Sequence, residues 1–243
     1  MYDFEKMDEI LSCWKLTLTI EQKEQLSDYH NLLCEWNSFM NLTAITEWNE
    51  AVLKHYCDSL SIYSIDWFQN KSAGKLSVID IGTGAGFPGI PLKIVFPDMK
   101  VTLADSLNKR IKFLNEVIDR IGLSNVETVH TRAEELGRNP SYREQYDLCV
   151  SRAVANLSTL SEYCLPFVKV GGRFISYKSG NSSDEIMSAE GAIRKLGGKR
   201  KESHEFFIPD SDYSRCLVEI EKIQNTKKAY PRMAGKPSKE PLL

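Results

Sequence analysis

No uninterrupted apolar run in this 243-residue chain reaches the ~18 residues that a bilayer-crossing helix requires. The opening Met-Tyr-Asp-Phe-Glu-Lys-Met-Asp-Glu has no basic stretch ahead of an apolar one. Neither membrane spanning nor secretion is expected, and the chain is placed in the cytoplasm. Neither sign of charge dominates: 31 Lys and Arg stand against 33 Asp and Glu, and a net charge of −2 gives no global pull toward nucleic acid. Any such partner has to be met by a local patch. The six cysteines (Cys13, Cys34, Cys57, Cys149, Cys164, Cys216) include no Cys-x-x-Cys pair, and no histidine stands at zinc spacing. That pattern fits reduced, packed thiols and no metal site. Internal repeats and low-complexity tracts are also missing.

What is there belongs to a soluble globular protein, with 42% hydrophobic and 26% charged residues. The length suits one large domain, or one with a small appendage. Residues 1–72 read as a helical cap. Thr19 and Gln22 have capping-box spacing, and Leu26, Tyr29, Leu32, Leu33 and Trp36 then recur every three to four residues as one apolar stripe. A second stripe runs through Leu53, Tyr56, Cys57, Leu60 and Tyr63.

From residue 73 to 226 the pattern alternates. Short apolar runs at 76–81, 100–104, 125–130, 146–150 and 173–177 read as strands, separated by helical stretches such as 107–121. Alternating β and α elements predict an α/β, Rossmann-like, mostly parallel sheet. After a helical stretch at 184–196, the runs 205–208 and 216–223 are joined by a turn-rich connector too short for a crossover helix, so they should pair antiparallel. Residues 227–243 carry three prolines and several lysines, as an irregular basic tail would.

The strongest local signal is Asp80-Ile-Gly-Thr-Gly-Ala-Gly-Phe-Pro-Gly89, directly after the first strand of the alternating region. Gly84, Gly86 and Gly89 satisfy the dinucleotide pattern Gly-x-Gly-x-x-Gly, and Asp105 stands where such folds keep a ribose-binding acid. The same stretch satisfies Asp-x-Gly-x-Gly-x-Gly through Asp80, Gly82, Gly84 and Gly86, which resembles motif I of S-adenosylmethionine methyltransferases. A carboxylate such as Asp80 is favourable beside that donor's ammonium and repulsive beside a diphosphate. Asp105 suits either ligand. Methyl transfer is favoured over hydride transfer by NAD, which stays open as the alternative, as does a non-catalytic module that senses the donor and binds RNA.

The resemblance then becomes closer. Asp80 to Leu92, Asp105-Ser-Leu-Asn-Lys-Arg110, Arg132-Ala-Glu134, Ser151-Arg-Ala-Val-Ala155, Asn41-Leu-Thr-Ala-Ile45, His55-Tyr-Cys-Asp-Ser-Leu60 and Tyr230-Pro-Arg232 together resemble the bacterial 16S ribosomal RNA guanine-N7 methyltransferases, the glucose-inhibited division protein B family. Met233, where the family carries a basic residue, and the inserted Ser179 depart from its pattern. The resemblance implies a cytoplasmic enzyme that takes S-adenosylmethionine as cofactor and methylates a guanine in the decoding-region loop of 16S rRNA, on the 30S subunit or an assembly intermediate. A monomer is expected. Membrane and metal partners are not. The family's cofactor contacts carry over to Gly82, Phe87, Ala133, Glu134 and Arg152, and Asp80, Gly84, Gly86 and Asp105 join them from the loop and ribose arguments.

Guanine N7 has an in-plane lone pair and no proton, so attack on a sulfonium methyl requires neither a base nor a covalent cysteine. Positioning is then the main task. The candidates for it are Arg152, at the end of the fourth strand, and His55 and Asp58, three residues apart on the preceding helix. For RNA the local charge matters: Arg194, Lys195, Lys199 and Arg200 form one basic run, and Lys228, Arg232 and Lys236 cluster near the end with Tyr230 as a stacking surface.

Overall fold

In the computed structural model, which describes residues 2–71 and 75–243, α1 (Glu5–Cys13) leads into α2 (Ile20–Met40). The capping box is closed: the Gln22 amide donates to Thr19 Oγ1 at 3.2 Å, and the Thr19 amide donates to Gln22 Oε1 at 2.9 Å. Leu26, Tyr29, Leu32 and Leu33 are buried as the stripe requires.

The second stripe is helical but not one regular helix. It divides into α3 (Trp48–Ala51), a π turn (Val52–Cys57), α4 (Asp58–Leu60) and a 3-10 turn (Ser61–Ser64), followed by α5 (Asp66–Asn70). A widened turn keeps the apolar face buried, since Tyr56, Cys57 and Leu60 are all inaccessible, while resetting the direction of the residues around it. The expected boundary between cap and core, at 72/73, lies outside the described residues.

Among the described residues seven strands form one sheet: β1 (Ser77–Ile81), β2 (Lys100–Asp105), β3 (Val126–His130), β4 (Tyr146–Arg152), β5 (Val168–Ser179), β6 (Gly198–Phe207) and β7 (Ser214–Lys222). The spatial order is β3-β2-β1-β4-β5-β7-β6, with β1 through β5 parallel and β7 antiparallel to both neighbours. Helices α6 (Gly89–Val95), α7 (Asn108–Ile121), α8 (Ala133–Leu136), α9 (Leu157–Cys164), α10 (Ser183–Ser188) and α11 (Glu190–Lys195) fill the connections. The order reverses between β1 and β4. That crevice, at the carboxyl ends of the strands, is where ligands bind in such sheets.

Alternation along the strands divides the apolar residues between two faces. Val78, Leu103 and Ile175 join Met7, Tyr29 and Tyr56 in one core, so the N-terminal helices and the sheet share their interior. Ile79, Cys149, Phe174 and Val218 pack on the other face with Leu160 and Ile193. Strand β6 begins well before the expected 205, because Lys199, Arg200, Lys201 and Glu202 lie on an exposed sheet edge where charge is tolerated and no apolar signal is needed.

The tail is largely irregular, as expected, with a short α12 (Lys236–Lys239), but it is tied to the body. Arg143 donates to the Thr226 and Tyr230 carbonyls at 2.6 and 2.9 Å, and Arg138 donates to the Pro231 carbonyl at 2.9 Å.

Candidate functional site

Two adjoining chambers open at the β1/β4 switch point. The first, about 160 Å³, lies over β2 and β3 and includes Ala104, Thr131, Ala133, Glu134, Tyr163 and Ser238 in its wall. The second, about 360 Å³, lies under the N-terminal helices and includes Thr43, His55, Gly84, Phe87, Arg110 and Arg152. Gly82, Asp105, Ser106 and Val154 border both.

The glycine loop is built from beneath and behind. Asp80 is fully buried, and its Oδ2 accepts from Thr83 Oγ1 at 2.8 Å and from the Gly89 amide at 2.9 Å. Gly86 has φ +103, and a Cβ there would meet Tyr29 Oη at 2.9 Å and Ile90 Cγ1 at 2.6 Å. Tyr29 in turn donates to the Ala85 carbonyl at 2.5 Å, so helix α2 braces the loop. Neither Asp80 nor Gly86 borders a chamber, so both are placed behind the loop and not in the wall of the cavity. Asp80 is spent on holding the turn, and Gly86 is required by packing on α2. Gly84 is different. At φ +64 a Cβ would find only Gly82 O within 4 Å, so this side of the loop faces open space.

Asp105 stands at the junction of the chambers. Its Oδ2 accepts from the Gly84 amide at 2.9 Å and from Arg110 at 3.1 Å, and its Oδ1 accepts from the Leu107 amide at 2.9 Å. Ala133 gives the first chamber a small wall. Glu134 Oε1 accepts from the Gly235 amide at 2.8 Å, joining that wall to the tail.

Behind the wall of the second chamber one buried carboxylate organises two guanidinium groups, of which Arg152 borders the chamber. Asp58 Oδ2 accepts from Arg152 Nη1 at 2.7 Å and from Arg215 Nη2 at 3.0 Å, and its Oδ1 accepts from Arg215 Nε at 2.5 Å. Asp58 is therefore an anchor, not a group at the mouth. Arg152 lies over the Phe87 ring at 5.0 Å, and the His55 ring stacks on the same phenyl at 4.3 Å and 23°. His55 Nε2 is 2.9 Å from Thr43 Oγ1. Thr43, Arg110, Tyr163, Ser238 and Gly235 were not marked by the sequence reading. The Asn41-Leu-Thr43 motif was a cue for the first of them, and nothing local marked Gly235 or Ser238.

Two buried groups titrate in opposite senses. Burial, reinforced by the Arg152 guanidinium, pushes His55 down to about 3. Burial pushes Asp80 up to about 7, and its Oδ1 has no hydrogen-bond partner. Stability from His55 is complete above its unfolded value of 6.5 and is lost as pH falls toward 3. Stability from Asp80 is complete below its unfolded value of 3.8 and is lost as pH rises through 7. Between these limits the two slopes, each up to about 1.4 kcal/mol per pH unit, oppose one another. His55→Gln should leave a protein whose urea midpoint falls from pH 4.5 to pH 6.5, and Asp80→Asn one whose midpoint rises. Parallel profiles for both variants and the parent would refute this assignment.

The expected RNA residues are dispersed. Lys199 is level with Glu221, Arg173 and Leu148 across the sheet, near the amino ends of the parallel strands and three strands from β4. Arg194 and Lys195 end the helix that leads there, and Arg200 pairs with Glu190. That run therefore lies away from both chambers. The Arg232 guanidinium is held by the fully buried Glu162 at 2.6–3.1 Å. Tyr230 packs partly against the core, whereas Lys228 and Lys236 are exposed.

A mostly parallel sheet with a brace-held glycine loop, an acid closing β2 and paired chambers at the switch point defines a Rossmann-like nucleotide-binding fold. Solved folds agree: NSun6 from Pyrococcus horikoshii, crystallised with SFG, has a TM-score of 0.51 at 14% identity, covering 63% of this chain and 49% of its own. TrmN from Thermus thermophilus has a TM-score of 0.50 at 14% identity, covering 71% and 53%. The family described as rRNA small subunit methyltransferase G matches residues 22–212, and this chain belongs to it. A ribosomal RNA small subunit methyltransferase G of Lachnoclostridium phytofermentans is 54% identical over 94% of this chain and 93% of its own. Its counterpart in Brevibacillus brevis is 47% identical over 98% and 99%. The chain is accordingly a methyltransferase of small-subunit rRNA that uses S-adenosylmethionine, and the NAD and non-catalytic alternatives fall away. No helix among the described residues is long and apolar enough to cross a membrane.

Proposed function

We propose that the enzyme methylates N7 of a guanine in the decoding-region loop of 16S rRNA, as a cytoplasmic monomer. One observation carries the choice of atom: among the described residues, the second chamber is bordered by one histidine and one carboxylate, and Asp105 spends three acceptor positions on the Gly84 and Leu107 amides and Arg110, keeping one for a ribose hydroxyl. His55, held down near 3, is a poor base at neutral pH. No cysteine borders either chamber, so a covalent adduct to the base has no nucleophile. N7 requires neither, whereas a ring N–H or an exocyclic amine would have to shed a proton.

The residues fit the donor. The first chamber, with the small Ala133 and the polar Thr131, Glu134 and Ser238, suits an adenine ring, and Asp105 at the junction suits ribose hydroxyls. The open side of Gly84 leaves room for the amino-acid end beside Arg152, whose cation suits a carboxylate. When bound, S-adenosylmethionine supplies a sulfonium methyl that needs no further activation. The chain's own work is to hold the guanine in line with that methyl and exclude water. His55, Phe87 and Arg152 form one stacked wall for this purpose, and positioning can supply on the order of 7–11 kcal/mol of a barrier. Of the basic side chains, Arg110 and Arg152 border the second chamber and are placed to meet the RNA backbone there.

The test is incubation of the enzyme and labelled S-adenosylmethionine with 30S subunits and with free 16S rRNA, followed by nuclease digestion. Label in 7-methylguanosine is expected, and label in any other nucleoside would overturn the choice of atom.

A further inference from the structure

The tail carries more contacts than a solvated basic segment has reason to make. Arg232 donates through Nε and Nη2 to both oxygens of Glu162, its amide donates to Glu162 Oε1 at 2.7 Å, and Nη2 also reaches the Glu240 carbonyl at 2.8 Å. Glu162 is wholly inaccessible, on α9. Three residues further on, the Gly235 amide donates to Glu134, and Thr159 Oγ1 donates to the carbonyl of the buried Pro237 at 3.0 Å. Between these ties Gly235 and Ser238 border the first chamber beside Tyr163.

A buried ion pair is a poor source of net stability, because desolvation cancels most of the attraction. Few large apolar side chains hold the segment down: Met233 is 75% exposed and Leu243 is 83% exposed. Between the packed Tyr230 and the buried Pro237 the segment is held mainly by these polar ties, which open at lower free energy than apolar packing. What those ties do achieve is geometric: they set a backbone turn and a hydroxyl against the chamber that suits the nucleoside.

We propose that residues 232–238 form the outer wall of the nucleoside chamber and contact the adenosine of the donor, so that donor binding and tail docking are one linked equilibrium. The Arg232–Glu162 pair is the clasp. The inference rests on the assignment of this chamber to S-adenosylmethionine. By linkage, a ligand that binds only the docked form must stabilise docking, and a loosened clasp must weaken the ligand by the same factor.

The experiment uses the full chain and the stable product S-adenosylhomocysteine. Amide exchange over residues 228–243 is expected to slow on adding ligand, and Arg232→Ala is expected to lower affinity by about tenfold in titration calorimetry. The salt dependence of RNA binding should not change in this variant, since the guanidinium is already engaged by Glu162. Ser238→Trp, at an exposed position that touches little of the core, should lower affinity without affecting the fold, which keeps the test valid if Arg232→Ala is unstable. Wild-type affinity in both variants, or tail exchange indifferent to ligand, would overturn the proposal while leaving the donor assignment standing. Failure of the parent protein to bind at all would overturn both.

Discussion

Valine at position 84 is expected to abolish binding of S-adenosylmethionine, with affinity reduced at least about a hundredfold, in a protein that still folds. Two effects act together. The branched side chain would extend from an open position into the second chamber, because the loop presents no atom there to stop it. The backbone would also have to hold a β-branched residue at φ +64, a conformation that costs such residues on the order of 1–3 kcal/mol. The loop's other ties, from Asp80 to Thr83 and Gly89 and from Tyr29 to Ala85, do not involve this side chain and should persist. Calorimetric titration together with a thermal melt checks both halves of the expectation. Undiminished affinity in a folded variant would remove the loop from the site.

The second large effect concerns stability. Asp58→Ala is expected to cost about 3–5 kcal/mol, the usual consequence of removing one member of a buried ionic group and leaving the rest uncompensated. Here two guanidinium groups lose their shared partner, one at the end of β4 and one on β7, and their side chains are only 12% and 8% exposed. Asp58→Asn should recover part of the loss by retaining an acceptor. Because Arg152 borders the chamber, both variants should also lose donor affinity under conditions where they remain folded. Urea denaturation measures the first effect. A cost below about 1 kcal/mol would mean that the triad is not the anchor described.

Much of this architecture was legible in advance, and the exceptions have physical reasons. Helix α2 announced itself because its capping box and apolar stripe are local and agree with one another. The central strands β1, β2 and β4 did so because burial on both faces concentrates apolar residues in them, whereas the edge strand β3 is half-exposed and mixed. The π turn had no such signature, since its spacing satisfies the same apolar face as a regular helix. The start of β6 was hidden by an exposed edge that tolerates lysine and arginine. Among the site residues, Asp105, Gly82, Phe87, Ala133, Glu134 and Arg152 follow from motif and family resemblance and do border the chambers. Asp80 and Gly86 carry the same motif yet serve the loop from below, because a motif records what a turn requires as well as what a ligand requires. The placement of the basic runs was hidden for a different reason. Charge in sequence says nothing of which edge of a sheet it reaches, and Arg232 had its partner 70 residues away.

The bracing of the loop by Tyr29 implies that the helical cap cannot be treated as an exchangeable module. A phenol from α2, far upstream in the chain, seats the Ala85 peptide of the glycine loop, and Gln22 on the same helix grips the carbonyls of Ile94 and Val95 behind it. Chimaeras that graft the cap of one relative onto the core of another should therefore differ in how tightly they hold the donor, even where every residue in contact with it is the same.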